Sequence, residues 1–226
     1  MADMLYEIFS TPLLVRALVV GILVSLCAAL LGVTLVLKRY SMIGDGLSHV
    51  GFGALAVATV MNAAPMAVAM PVVILAAVAL LRLSGSGRIK GDSAIALIST
   101  SALAIGVMAV SLSDGMNVDI NSYLFGSIVA VSGSDVTVSV ILAAVVLAVF
   151  IFFYTKIFAI TFDESFAKAT GTNAGMYNML IALLTAVTIV IGMRLMGSML
   201  ISSLIIFPAL CAMRVFRSFL SVTVCS

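Results

Sequence analysis

Seven apolar runs, each about long enough to cross a bilayer, constrain this chain more than any other feature. They fall at about 12–37, 43–61, 65–82, 93–113, 135–155, 176–193 and 196–213. A hydrocarbon core of about 30 Å calls for about 20 residues of helix. No water is present there to satisfy the backbone, so runs of this length must fold as helices. Of the 226 residues, 64% are hydrophobic and only 9% are charged, against about 25% charged in a soluble domain. The surplus of apolar surface must therefore face lipid. The expected fold class is all-α: a polytopic membrane helical bundle of about seven to eight transmembrane helices, forming one domain over 1–226.

Breaks between the runs carry their own signals. Pro12 suits a first helical turn, residues 62–65 make a turn, and 83–92 (LSGSGRIKGD) is a polar loop. Two readings stand for 113–135. It enters the membrane and turns back, which would put Asn121 to Gly126 near a cavity, or it lies as an amphipathic segment on the surface. Residues 218–225 resemble the start of a further apolar span too short to cross, which leads us to expect sequence beyond residue 226.

Lysine and arginine set the orientation. Lys38, Arg39, Arg82, Arg88, Lys90, Lys156, Lys168, Arg214 and Arg217 fall on one face if 113–135 does not cross. Asp3, Glu7, Asp114 and Asp119 fall on the other. The N-terminus is then outside and the basic loops are cytoplasmic. Arg16 and Arg194 run against this pattern. Arg16 can snorkel near the outer end of its helix, and Arg194, in a very short connection, is placed to line an outer vestibule. The dispersed basic residues do not suit nucleic acid. Cys27, Cys211 and Cys225 follow no pairing or zinc-ligand spacing, and 14 methionines and 17 glycines suit close helix packing.

The chemistry concentrates in SMIGDGLSHVGFGALA (41–56). Asp45 and the chain's one histidine, His49, stand four residues apart and so share a helix face. A carboxylate and an imidazole could meet one divalent cation at about 2.0–2.2 Å, and the pair suits zinc, manganese or ferrous iron over copper(I). The competing reading is a helix-start cluster, with Ser41 or Asp45 as N-cap and His49 bonded to Asp45. Ser48 reads as a backbone-bonded packing residue beside them, and as a candidate pore residue if the face is open. Gly44, Gly46, Gly51 and Gly53 fit a close helix crossing.

Two further segments stand out. In FDESFAKATGTNAGMYN (162–178), Asp163 can cap a short helix carrying Glu164, Phe166 and Ala167, with Gly171 ending it. Such a helix could dock in the groove of a soluble partner, or be an ordinary capped connector. In 193–214, Gly197, Ser198, Ser202 and Ser203 offer small and hydroxyl surfaces, and Pro208 would kink the helix. That helix could line a pore with Ser202 and Pro208, or simply pack. The chain has no GxxxxGK[ST] loop, no HExxH and no GxSxG. ATP binding in that manner and hydrolytic catalysis are therefore not expected of this chain.

Taken in order, SMIGDGLSHVGFGALA, DINSYLFGSIVAVSGSD (119–135), FDESFAKATGTN (162–173) and MGSMLISSLIIFPALCAMR (196–214) resemble blocks of the permease subunits of bacterial ABC importers for zinc, manganese and iron. The resemblance implies a multi-pass protein of the bacterial inner membrane, not itself an enzyme. It implies a transmembrane homodimer on two copies of a separate ABC ATPase, fed by an extracytoplasmic metal-binding protein. It puts the ion path at Asp45 and His49 and the coupling helix at about 163–171. The transported ion would be zinc or manganese, and no permanently bound cofactor is expected. Gly46 departs from the alanine often found there. The alternatives are a permease for a metal chelate, such as a siderophore or corrinoid, and a proton-coupled secondary metal transporter.

Overall fold

A computed structural model describes residues 11–38, 40–85, 91–112, 124–127 and 133–226. The helices are α1 (Pro12–Leu37), α2 (Ser41–Val60), α3 (Pro65–Gly85), α4 (Gly91–Leu112), α5 (Gly133–Phe162), α6 (Glu164–Ala169), α7 (Ala174–Val215) and α8 (Phe219–Cys225). Six of them, all but α6 and α8, are long and apolar enough to cross a membrane. Several hydroxyl groups within the spans are satisfied by their own helices. Thr34 donates to the Leu31 carbonyl at 2.7 Å, and Thr185 and Thr188 donate to Ile181 and Leu184, each at 2.8 Å. Each back-bond removes the cost of an unpaired hydroxyl in apolar surroundings.

The sequence puts two spans where α7 is assigned as one helix of 42 residues. A straight helix of that length would run about 63 Å, twice a bilayer core. It does not run straight. Gly197 has φ 80° and ψ 163°, and the chain reverses there. Before the break, α7 climbs antiparallel to α1. Lys38 bonds Asn178, and Gly21 faces Leu195 and Met196. After it, α7 descends parallel to α1, with Gly32 against Ile205 and Val33 clustered with Ala209 and Ala212. The six helices therefore make seven crossings among the described residues.

Two expectations are corrected here. Arg194 is not in a connection: it lies inside the ascending arm, three residues before the break. The break expected between the two spans, at about 194–195, falls at Gly197, and helical dihedrals continue through Pro208. Proline already has the φ of a helix, whereas only glycine sits easily at Gly197's dihedrals. α5 also outlasts its expected span, running on from residue 155 to Phe162.

Neighbouring helices fix the remaining directions. Gly46 of α2 meets Ile95 of α4, and Gly53 meets Ala102, so α2 and α4 run parallel. Gly51 meets Val73, and Ile43 lies near Leu81, so α3 runs against them. α4 therefore ends on the side where α5 begins. Lys38, Lys156, Lys168 and Arg214 gather at one end of the bundle. That end is cytoplasmic by the positive-inside rule.

Within 113–135, residues 124–127 are described. They cross the break in α7 backbone to backbone. Ser127 N–H donates to the Arg194 carbonyl at 3.3 Å, and a Cβ on Gly197 would overlap the Leu124 carbonyl. This contact lies level with Gly21, nine residues into α1. Asn121 lies outside the described residues.

Candidate functional site

α2 begins at Ser41 with Tyr40 as its N-cap and no side-chain cap bond. Neither Ser41 nor Asp45 caps it, so the helix-start reading of Asp45 loses its main support. Asp45 and His49 project from the first two turns with Nε2 and Oδ2 3.6 Å apart. Asp45 is 44% exposed and His49 25%. His49 Nδ1 is buried, and the described residues offer it no hydrogen-bond partner. An unmet buried donor or acceptor costs about 1–3 kcal/mol. Ser48 is fully buried and donates to the Asp45 carbonyl at 2.7 Å, which turns its hydroxyl into the helix.

The pair lines a cavity of about 240 Å³ between α2 and α4, together with Met42, Asp92, Ser99 and Thr100. Ser202, on the descending arm of α7, sits beside the Asp45 carboxylate and bonds the Met199 carbonyl at 3.0 Å. Sequence reasoning missed Asp92. It lies in the first turn of α4 but was counted with the polar loop before it. Among the described residues no three His, Cys, Asp or Glu side chains stand close enough to hold a metal.

At the other end of the bundle, Arg194 pairs with Asp135 at 2.7 Å, joining the ascending arm of α7 to the first turn of α5. The pair is partly buried and adjoins the Gly197 break. Pro208 lies on the descending arm, away from this contact.

The cytoplasmic end carries α6. The Asp163 carboxylate caps it by accepting the Phe166 N–H at 2.9 Å. Ala167 is buried against Ile160, Ala174 and Tyr177, while Phe166 is 62% exposed. Gly171 follows the helix with φ 82°. Glu164 accepts from Lys168 at 2.8 Å, from Asn178 at 3.1 Å and from Lys38 at 3.2 Å. With Lys168 first, these donors hold the Glu164 carboxyl down at about 2.

A depressed acid stabilises the fold above its unfolded value and ceases to do so as pH falls through its folded value. Between about pH 4.5 and about pH 2 the protein should lose the stability that Glu164 contributes. Melting temperatures in detergent across that window should fall more steeply for the native chain than for Glu164→Gln. Parallel slopes would remove the assignment.

Residues 10–226 match the ABC 3 transport family. The chain belongs to that family. It is a permease of the ABC importer type, a multi-pass protein of the inner membrane, and the secondary-transporter alternative falls away. It is 31% identical over 206 residues to the high-affinity zinc uptake system membrane protein ZnuB of Haemophilus influenzae, covering 91% of this chain and 79% of that one. It is 30% identical over 202 residues to the manganese transport system membrane protein MntC of Halalkalibacterium halodurans, covering 89% and 69%. Among solved structures, PsaBC from Streptococcus pneumoniae in complex with Fab superposes with a TM-score of 0.83. It is 28% identical, and the match covers 99% of this permease and 80% of that chain. An inward-facing ABC transporter of the metal-chelate type shares the fold at a TM-score of 0.73 and 15% identity.

Proposed function

We propose that this permease carries a divalent transition-metal ion, zinc or manganese, past Asp45 and His49 of two copies facing each other in a homodimer. The observation that carries this reading is the pair itself: an acid and an imidazole on one helix face, opening into a cavity, with His49 Nδ1 unmet by the described residues. Two ligands are too few to trap an ion, which suits passage, and a second copy would raise the count to four. The zinc and manganese systems of the relatives point to the same class of cargo. A bulky chelate would need a wide apolar path, and a cavity of about 240 Å³ with two acids and an imidazole favours a bare ion.

On this reading residues 1–226 are one permease domain that hydrolyses nothing itself. An extracytoplasmic binding protein delivers the ion to the end marked by Arg194, and a separate ABC ATPase seats α6. Exposed Phe166 is the anchor of that docking, since a buried aromatic is the usual source of binding energy in such a groove. Proteoliposomes holding the permease, its ATPase and the loaded binding protein should take up zinc or manganese only with ATP. Phe166→Ala should lower uptake by about tenfold or more, with ATP hydrolysis no longer answering to the binding protein. ATP-independent uptake, or a Phe166→Ala complex that stays coupled, would refute the respective part.

A further inference from the structure

We propose that Lys38, Glu164 and Asn178 form a latch through which α6 moves the Asp45–His49 turn of α2. Lys38 follows the last residue of α1 and stands three residues before the start of α2. Its side chain is only 8% exposed. Its ammonium donates to Glu164 Oε2 at 3.2 Å and to Asn178 Oδ1, and Asn178 Nδ2 donates to the same Glu164 oxygen at 3.1 Å. One closed triangle thus joins the end of α1, the first residue of α6 and the start of α7.

The stretch from Lys38 to α2 is short, and the described residues along it are pinned. Lys38 N–H bonds the Thr34 carbonyl at 3.1 Å, Tyr40 N–H bonds Leu35 at 2.8 Å, and Ile43 N–H bonds Tyr40 at 2.9 Å. Asp45 comes two residues later. A shift of Glu164 is therefore passed along hydrogen bonds, with little slack, to the first turn of α2. Apart from this triangle, α6 packs through Ala167 on the helices that flank it in the chain. Those contacts tie it to α5 and α7 and leave α2 untouched. Glu164 cannot leave Lys38 freely, because a buried ammonium without its partner is costly. Burial already draws Lys38 below its ordinary value while Glu164 opposes the shift.

This proposal rests on the docking role of α6, so its test keeps the two apart. The complete transporter is reconstituted with Lys38→Met, Glu164→Gln, both together, or Phe166→Ala, and ions moved per ATP hydrolysed are counted. Lys38→Met and Glu164→Gln should each lower that ratio about tenfold, and the double variant should lower it no further, as expected for one shared contact. A ratio unchanged in Lys38→Met and Glu164→Gln, with only the melting temperature lowered, would reduce the triangle to a structural staple. If Phe166→Ala uncouples while those two variants do not, the latch fails and the docking role of α6 stands. If Phe166→Ala stays coupled, α6 itself has been misread. Should Lys38→Met fail to assemble, the Glu164→Gln ratio decides, since that change keeps the side-chain shape.

Discussion

Asp45→Ala and His49→Ala are each expected to abolish metal uptake while leaving the permease bound to its ATPase. An ion in transit has left its water behind and holds on through few ligands. If the proposed homodimer supplies two ligands from each copy, one substitution removes two of four. Losing an outer-shell partner of a metal site already costs about 10–100-fold, and losing a direct ligand should exceed that. The fold should not suffer. Asp45 is 44% exposed and forms no cap, and His49 bears a buried nitrogen that the described residues leave unmet. Melting temperatures close to those of the native chain, with uptake at background, would match this picture. Normal uptake by both variants would sink the path.

Gly197→Ala should be severely damaging for a change of one methyl. Its φ of 80° and ψ of 163° belong to a region that essentially only glycine occupies, at a cost of about 1–3 kcal/mol for other residues. The new Cβ would also overlap the carbonyl of Leu124 and crowd Phe125, both backbone atoms that no rotamer change can clear. We expect little correctly folded permease by size-exclusion chromatography and a clear drop in melting temperature. Gly171→Ala is the control. It has a similar φ of 82° but open space around the added methyl, so it should cost only about 1–2 kcal/mol. Equal tolerance of both changes would mean that the reversal does not depend on glycine.

Much of the bundle was legible because lipid enforces simple rules. Pro12 and the polar residues at 38–40 bracket α1 as read, and Pro65 opens α3 as read. The last turns of α5 were not legible. Lys156 looked like the edge of a span, but the edge of the membrane need not end a helix, and Lys156 finds the ring of Tyr177 5.8 Å away. The connection read at 194–195 was nearly right, but fixing the break at Gly197 needed a contact distant in sequence, where the Leu124 and Phe125 backbone crosses it. The Asp45–His49 face followed from spacing alone, while Asp92 reached the same cavity only through the pairing of α2 with α4. Lys38 was read as a marker of topology, and no local pattern marked its burial beneath Glu164 and Asn178.

Gly53 has a mechanical consequence for gating. Its α-carbon touches Gly106, and a side chain there would overlap the Ala102 carbonyl, so α2 and α4 meet main chain to main chain. At that point the seam has no side chain to swing and slides poorly. On its other flank α2 is cushioned by flexible atoms, with the Met193 methyl beneath Gly51 and the Ile205 side chain beneath Gly44. Helices shear where rotamers can give. α2 and α4 should then travel as one lever, with the slip plane between α2 and α7 and the Asp45 carboxylate at its edge.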